Sequence, residues 1–155
     1  MTGNKRFAHH LGTTLVALQF LWIAVLAWLA LPPFLAGHAP VGAWISALLG
    51  VLLGLWALST NRLGNFNIRP APRAGGTLIQ QGPYRWIRHP MYTAVMAVGL
   101  ACAWAGLHGV AWLALCALAV VLLVKALIEE RWMLQMHPGY AAYRQRSWRF
   151  LPWLI

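Results

Sequence analysis

Four apolar runs alternate with polar joints along the chain. The first extends from Leu11 to Leu31 and is broken only by Thr13, Thr14 and Gln19. A helix that crosses the hydrocarbon layer needs roughly 20 such residues at about 1.5 Å of rise each. Pro32-Pro33 is expected to end this run. A second run covers 41–59, a third 90–105 and a fourth 110–128. Pro90 suits the first turn of a helix, and Gly106-Leu107-His108-Gly109 reads as the tight turn between the third and fourth runs. The third is short, so a full crossing requires tilt or local thinning of the bilayer. The segment 61–89 is polar and rich in Gly, Pro and Asn, which predicts mostly loop. From Glu129 to Tyr143 the pattern continues as an amphipathic, interfacial helix interrupted at His137-Pro138-Gly139. Trp148-Arg149-Phe150-Leu151-Pro152-Trp153 mixes aromatics with one cation and suits the headgroup region. The expected fold is all-α, a polytopic membrane protein with about four transmembrane helices in a single domain, 1–155. A loop at 61–89 and a C-terminal segment at 129–155 stand outside the bilayer.

Composition changes the picture by excluding a soluble surface. Hydrophobic residues make up 61% of the chain and charged residues 9%, against roughly 25% charged in an ordinary soluble domain. Twelve Lys and Arg against two acids give a net charge of +10. Nucleic-acid binders place such charge on a polar surface, which is scarce here, so no nucleic-acid partner is expected. Cys102 and Cys116 lie inside apolar runs without ligand spacing, so they read as core or lipid-facing thiols. No metal site is expected with so few acids. Lys5-Arg6 before the first run resemble the start of a signal peptide, but the run is too long and lacks a small-x-small cleavage site, so it is expected to be retained.

Charge then sets the expected topology. Four spans put both termini and the 61–89 loop on one side. That side carries Lys5, Arg6, Arg62, Arg69, Arg73, Arg85, Arg88, Arg131, Arg144, Arg146 and Arg149, while the opposite loops carry no Lys or Arg. Lys125 lies one turn inside the basic end of the last span and can snorkel outward. The positive-inside rule puts the basic side in the cytoplasm. The Trp- and Ala-rich composition fits a bacterial inner membrane.

Chemistry has few carriers. Glu129-Glu130 are the only acids in the chain. They either neutralise neighbouring cations at the interface or offer a carboxylate to a ligand hydroxyl or ammonium. Adjacent helical positions diverge by about 100°, so one is expected to face a site and the other water or a cation. His89 is either a helix cap or a site residue. Arg85 and Arg88 are positive-inside residues or a clamp on a carboxylate or phosphate. Tyr84, Trp86 and Tyr92 are belt aromatics or ring partners in a site. Tyr92 lies one turn after His89, so the two can share a face, as can Tyr140 and Tyr143.

Gly82-Pro83-Tyr84-Arg85-Trp86-Ile87-Arg88-His89-Pro90-Met91-Tyr92, then Glu129-Glu130, then Tyr140-Ala141-Ala142-Tyr143, then Arg149-Phe150-Leu151-Pro152 resembles the isoprenylcysteine carboxyl methyltransferase family, which is related to membrane phospholipid methyltransferases. The resemblance covers roughly 61–152. It implies an integral membrane enzyme that uses S-adenosyl-L-methionine, held on the cytosolic side between the loop before the motif and the C-terminal segment. Carried over by residue, Thr77, Leu78, Ile79, Tyr84, His89, Pro90, Met91, Tyr92 and Glu129 would bind the cofactor, with Glu130 beside them. Lys125 falls where eukaryotic members place a substrate-binding arginine, and Arg88 is the second substrate candidate. Ala94 stands where members often have glycine. No residue is assigned as catalytic, although His89 and Glu130 are the few candidates for a general base.

The expected activity is methyl transfer to a lipophilic acceptor, isoprenoid-bearing or lipid-like, bearing a thiol, carboxylate or amine. Phospholipid N-methylation is the near alternative. A nicotinamide-dependent membrane reductase and a non-enzymatic adaptor presenting a basic face to anionic lipid are the rivals from other classes. The acceptor and the oligomeric state are not legible.

Overall fold

The computed structural model describes residues 2–61, 77–106 and 108–154, with residues 2–9 as backbone only. Arg62, Arg69, Arg73 and Leu107 therefore lie outside the described residues. Among those described, five α-helices and one 3-10 turn follow in order. They are α1 (Thr2–Leu35), α2 (Val41–Thr60), the 3-10 turn Gly82–Arg85, α3 (Pro90–Gly106), α4 (Gly109–Met136) and α5 (Tyr140–Gln145). Three helical stretches, His10–Leu35, Val41–Thr60 and Gly109–Met136, are long and apolar enough to cross a membrane, and α3 is a shorter apolar helix. These elements make the chain an all-α membrane protein. Its outer surface agrees, since Trp44, Leu48, Leu52 and Leu55 of α2 and Leu113 and Val120 of α4 are exposed, as side chains that face acyl tails would be.

One detail departs from the sequence pattern. Pro32 and Pro33 do not stop α1, which runs on to Leu35. Proline's fixed φ is already helical, so only two backbone donors are lost, and Ala36 N and His38 N re-enter by bonding to the carbonyls of Pro32 and Pro33 at 2.9 Å. As the pattern beyond Glu129 predicts, α4 runs on as one helix of 28 residues, about 42 Å at 1.5 Å per residue, longer than a hydrocarbon core of about 30 Å.

α3 is the central helix. It packs on α1, α2 and α4, while α1 and α4 also pack on each other. The α2–α3 contact works because it is lined with small residues. Ala43, Gly50 and Ala57 of α2 recur every seven positions and are buried. A Cβ placed at Gly50 would stand 2.9 Å from the Ala94 carbonyl oxygen and 3.0 Å from the Val98 nitrogen. Two backbones approach that closely only across glycine, the usual device for packing helices in lipid. Ser46 Oγ adds a 2.8 Å bond to the Ala97 carbonyl. Ala94 faces Gly54 across this seam, which gives its methyl room.

α1 contributes a buried stripe, Leu15, Gln19, Leu26 and Ala30, spaced so that one face meets α3 and α4. Leu26 joins Ala111, Ala114, Leu118 and Leu122 of α4 in the main core. Gly82 fixes the other end of the molecule. It has φ +55°, and a Cβ there would lie 2.5 Å from Thr60 Oγ1. Only glycine suits that backbone, and the 3-10 turn is thereby seated against the end of α2.

Candidate functional site

The site forms where the chain's two polar segments lie side by side. Residues 86–89 run parallel to 147–149, bridged at Ile87 and Trp148. Trp148 N bonds to Trp86 O at 2.9 Å, Arg88 N to Trp148 O at 2.7 Å and His89 N to Arg149 O at 3.1 Å. Thr93 Oγ1 then bonds to Phe150 O at 2.8 Å. The C-terminal segment is thus a strap laid over the start of α3. Tyr143, buried on α5, donates its hydroxyl to the Tyr84 carbonyl at 2.6 Å, and Arg146 donates to the Gln80 side chain.

Glu130 fastens this strap. It is buried near the end of α4. Arg88 Nε donates to its Oε1 at 2.9 Å. Arg149 binds both of its oxygens, Nε to Oε1 and Nη2 to Oε2, each at 3.1 Å. Arg144 lies 3.8 Å away with its side chain about half exposed. Arg88 Nη1 also donates to the carbonyls of Ser147 and Arg144. One carboxylate therefore holds guanidinium groups from the sequence motif and from the strap, and the planar fork of arginine suits this two-point grip.

Glu129 faces another way. Its side chain keeps 22% exposure. Tyr92 donates its hydroxyl to Glu129 Oε1, and His89 Nδ1 lies 3.4 Å from Oε2. The His89 and Tyr92 rings stack, 5.4 Å apart and within 4° of parallel, as their one-turn spacing predicts. His89 is also a cap, since its carbonyl accepts from Tyr92 N and Thr93 N.

His89 stands between the two carboxylates. Its Nε2 is 3.4 Å from Glu130 Oε1 but off the line of a hydrogen bond, and among the described residues it has no hydrogen-bond partner. Burial disfavours the charged imidazole, but the adjacent Glu129 and Glu130 carboxylates favour it more strongly, so the pKa lies above its ordinary value. In its cationic form the ring is a donor at both nitrogens. Burial pushes the Tyr84 phenol up to about 12, with a hydrogen bond to Asn61 working against the shift and the Glu129 charge adding to it.

Lys125 does not snorkel. It is 1% exposed. Its ammonium meets Gln19 Oε1 of α1 at 2.5 Å and lies 5.1 Å from the centre of the Tyr92 ring. An inward partner exists on α1, so burial inside the bundle replaces the outward route. Ionisable groups within spans commonly face the bundle interior in this way.

The structure gathers Tyr84, His89, Tyr92, Glu129, Glu130, Arg88 and Lys125 at one end of the bundle. Pro90 is buried at the head of α3 and Met91 half-buried beside it. Thr77, Leu78 and Ile79 form an irregular approach to Gln80, whose tie to Arg146 leads toward α5. Arg88 is committed to Glu130 and two backbone carbonyls, so its guanidinium is not presented to a ligand. Sequence reasoning did not single out Arg149, Tyr143 or Gln19 as site residues. The signal for Gln19 was visible, as the only amide in the first span. Among the described residues, no group of three or more His, Cys, Asp or Glu converges as metal ligands would.

With this geometry established, comparison with known proteins places the chain. Over 127 residues it is 32% identical to the cobalt-zinc-cadmium resistance protein CzcN of Cupriavidus metallidurans, covering 79% of this chain and 58% of that relative's length. No solved structure matches. Residues 41–139, from the start of α2 through the end of α4, match the family described as phospholipid methyltransferase. That match takes in the motif, both glutamates and Lys125, and on it the chain belongs to the phospholipid methyltransferase family, a family of membrane methyltransferases.

Proposed function

We propose that this protein transfers a methyl group from S-adenosyl-L-methionine to a lipophilic acceptor at the basic, cytosolic face of the membrane, with both termini in the cytoplasm. The observation that carries the reading is Glu129. The chain has two acidic side chains, and Glu130 is enclosed by Arg88 and Arg149. Glu129 alone is left partly open, beside the stacked rings of His89 and Tyr92. A ligand with hydroxyl or ammonium donors fits that set, because a carboxylate accepts from them.

Glu129, Tyr84, His89 and Tyr92 would hold the cofactor, with Pro90 and Met91 at the head of α3 and Thr77, Leu78 and Ile79 on the approach. The bound cofactor supplies an electrophilic methyl on a sulfonium. The chain's own part is alignment and exclusion of water, which are the main demands of an in-line displacement. Glu130 and Arg88 act as positioning residues that keep the strap on the motif. The acceptor carries a thiol, a carboxylate or an amine, and a thiolate or carboxylate can attack without a general base.

The test is calorimetric binding of S-adenosylmethionine to detergent-purified protein, with Glu129→Gln alongside. Saturable binding that the substitution weakens supports the reading, and folded wild-type protein that does not bind sinks it. The family's description favours a second acceptor reading, phospholipid N-methylation. Methylated phosphatidylethanolamine in the lipids of an expressing host, absent with Glu129→Gln, would select it over an isoprenoid acceptor.

A further inference from the structure

The first helix lies before the segment matched by the family, which begins at residue 41, yet it reaches the site. Gln19 sits in the middle of an otherwise apolar buried stripe of α1, between Leu15 and Leu26, and is 8% exposed. A buried amide inside a bundle is costly without a partner. Its Oε1 meets the Lys125 ammonium at 2.5 Å. Lys125 in turn lies over the Tyr92 ring at 5.1 Å, and Tyr92 donates its hydroxyl to Glu129. Lys125 and Glu129 are one helical turn apart on α4, a spacing that lets opposite charges share a face. Three helices thus meet through four polar side chains, in the order Gln19, Lys125, Tyr92, Glu129.

We propose that Gln19 and Lys125 are positioning residues for Glu129: the α1 amide holds the Lys125 ammonium over the Tyr92 ring, and this fixes the Tyr92 hydroxyl on the Glu129 carboxylate. A cation over an aromatic face is attracted by the ring's quadrupole, most strongly where water is excluded. The ammonium therefore restrains the ring, and the ring's hydroxyl restrains the carboxylate. Lys125 acts through Tyr92, not by direct contact with a ligand. The proposal deepens the methyltransferase reading, since it concerns the carboxylate assigned there to the cofactor, but its first test needs no cofactor.

With two acidic side chains in the chain, protein labelled with 13C at the glutamate carboxyl gives two native side-chain signals, assigned with Glu129→Gln. The displacement of the Glu129 signal in Tyr92→Phe, which loses the hydroxyl, sets the scale. Gln19→Leu and Lys125→Met are expected to move the Glu129 signal at least half as far while the Glu130 signal stays in place. Gln19→Glu, which can still hold the ammonium, is expected to keep the Glu129 signal near its wild-type position. Gln19→Leu conserves size and strands no acid, so it keeps the test open if Lys125→Met fails to fold. A Glu129 signal unmoved in folded Gln19→Leu overturns the proposal, as does equal movement of both glutamate signals, the mark of general loosening. Calorimetry then gives the functional arm, with an expected loss of S-adenosylmethionine affinity of about fivefold to tenfold in Gln19→Leu, the scale of one lost restraint, and recovery in Gln19→Glu. If wild-type protein binds no S-adenosylmethionine, the methyltransferase reading fails, while the carboxylate signals still decide the positioning role.

Discussion

Glu129 and Glu130 are neighbours on α4, yet they belong to different regions of the molecule. Glu130 turns toward the strap and is closed in by Arg88 and Arg149, with 4% of its side chain exposed. Glu129 turns toward α3, takes one hydroxyl from Tyr92 and stays 22% exposed. A rotation of about 100° between successive helical positions separates a closed carboxylate from an open one. The closed one holds backbone segments far apart in sequence. The open one is the carboxylate that the proposed function gives to the ligand.

Glu130→Gln breaks the comparison most severely. It leaves buried guanidinium groups without their counter-charge, and removing one partner of a buried pair costs about 3–5 kcal/mol. Thermal unfolding in detergent, followed by tryptophan fluorescence, is expected to show a large drop in midpoint. Glu129→Gln in the same assay is expected to change stability by less than about 1 kcal/mol, since its surroundings are partly solvated, while ligand binding falls. Equal destabilisation by both would remove the distinction.

Gly50→Leu tests whether the seam between α2 and α3 is independent of the ionic end. Its side chain has no room against the backbone of Ala94 and Val98, and overpacking costs about 1–3 kcal/mol. Stability is expected to fall while the two glutamate carboxylate signals stay in place.

pH gives a graded test of the residue between the two carboxylates. The folded pKa of His89 lies above its ordinary value, so the folded state holds the proton more tightly than the unfolded chain. Its contribution is complete below about pH 6.5, the unfolded value, and is lost as pH rises through the folded pKa. The unfolding midpoint is expected to decline on that rise, and His89→Gln is expected to flatten the decline. Tyr143→Phe should give a small effect, about 1 kcal/mol for one hydrogen bond, because it frees only the Tyr84 carbonyl from α5.

Much of this was legible in the pattern of residues. Runs of apolar residues bounded by turns predict helices at α2, α3 and α4 to within a residue or two at most ends, because a lipid-facing helix must be apolar along its length. The cations at one end follow from the same logic. The spacing of His89 and Tyr92 predicts their shared face, and the adjacency of the glutamates predicts that they part. What happens at Pro32-Pro33 was not legible, because the pattern cannot tell a proline that breaks a helix from one carried in its last turn.

Tertiary structure decided the rest. Sequence alone determined that this chain is helical and apolar and that its acidic chemistry is confined to two adjacent carboxylates, since those properties depend on residue type and local period. It did not determine which glutamate is closed, because the choice is made by Arg149, 19 residues away, and by Arg88, 42 residues away. It did not determine that Lys125 points inward, because the amide that receives it lies 106 residues earlier, on α1. Partners at such separations meet only after the helices have packed and the strap has been laid over the start of α3.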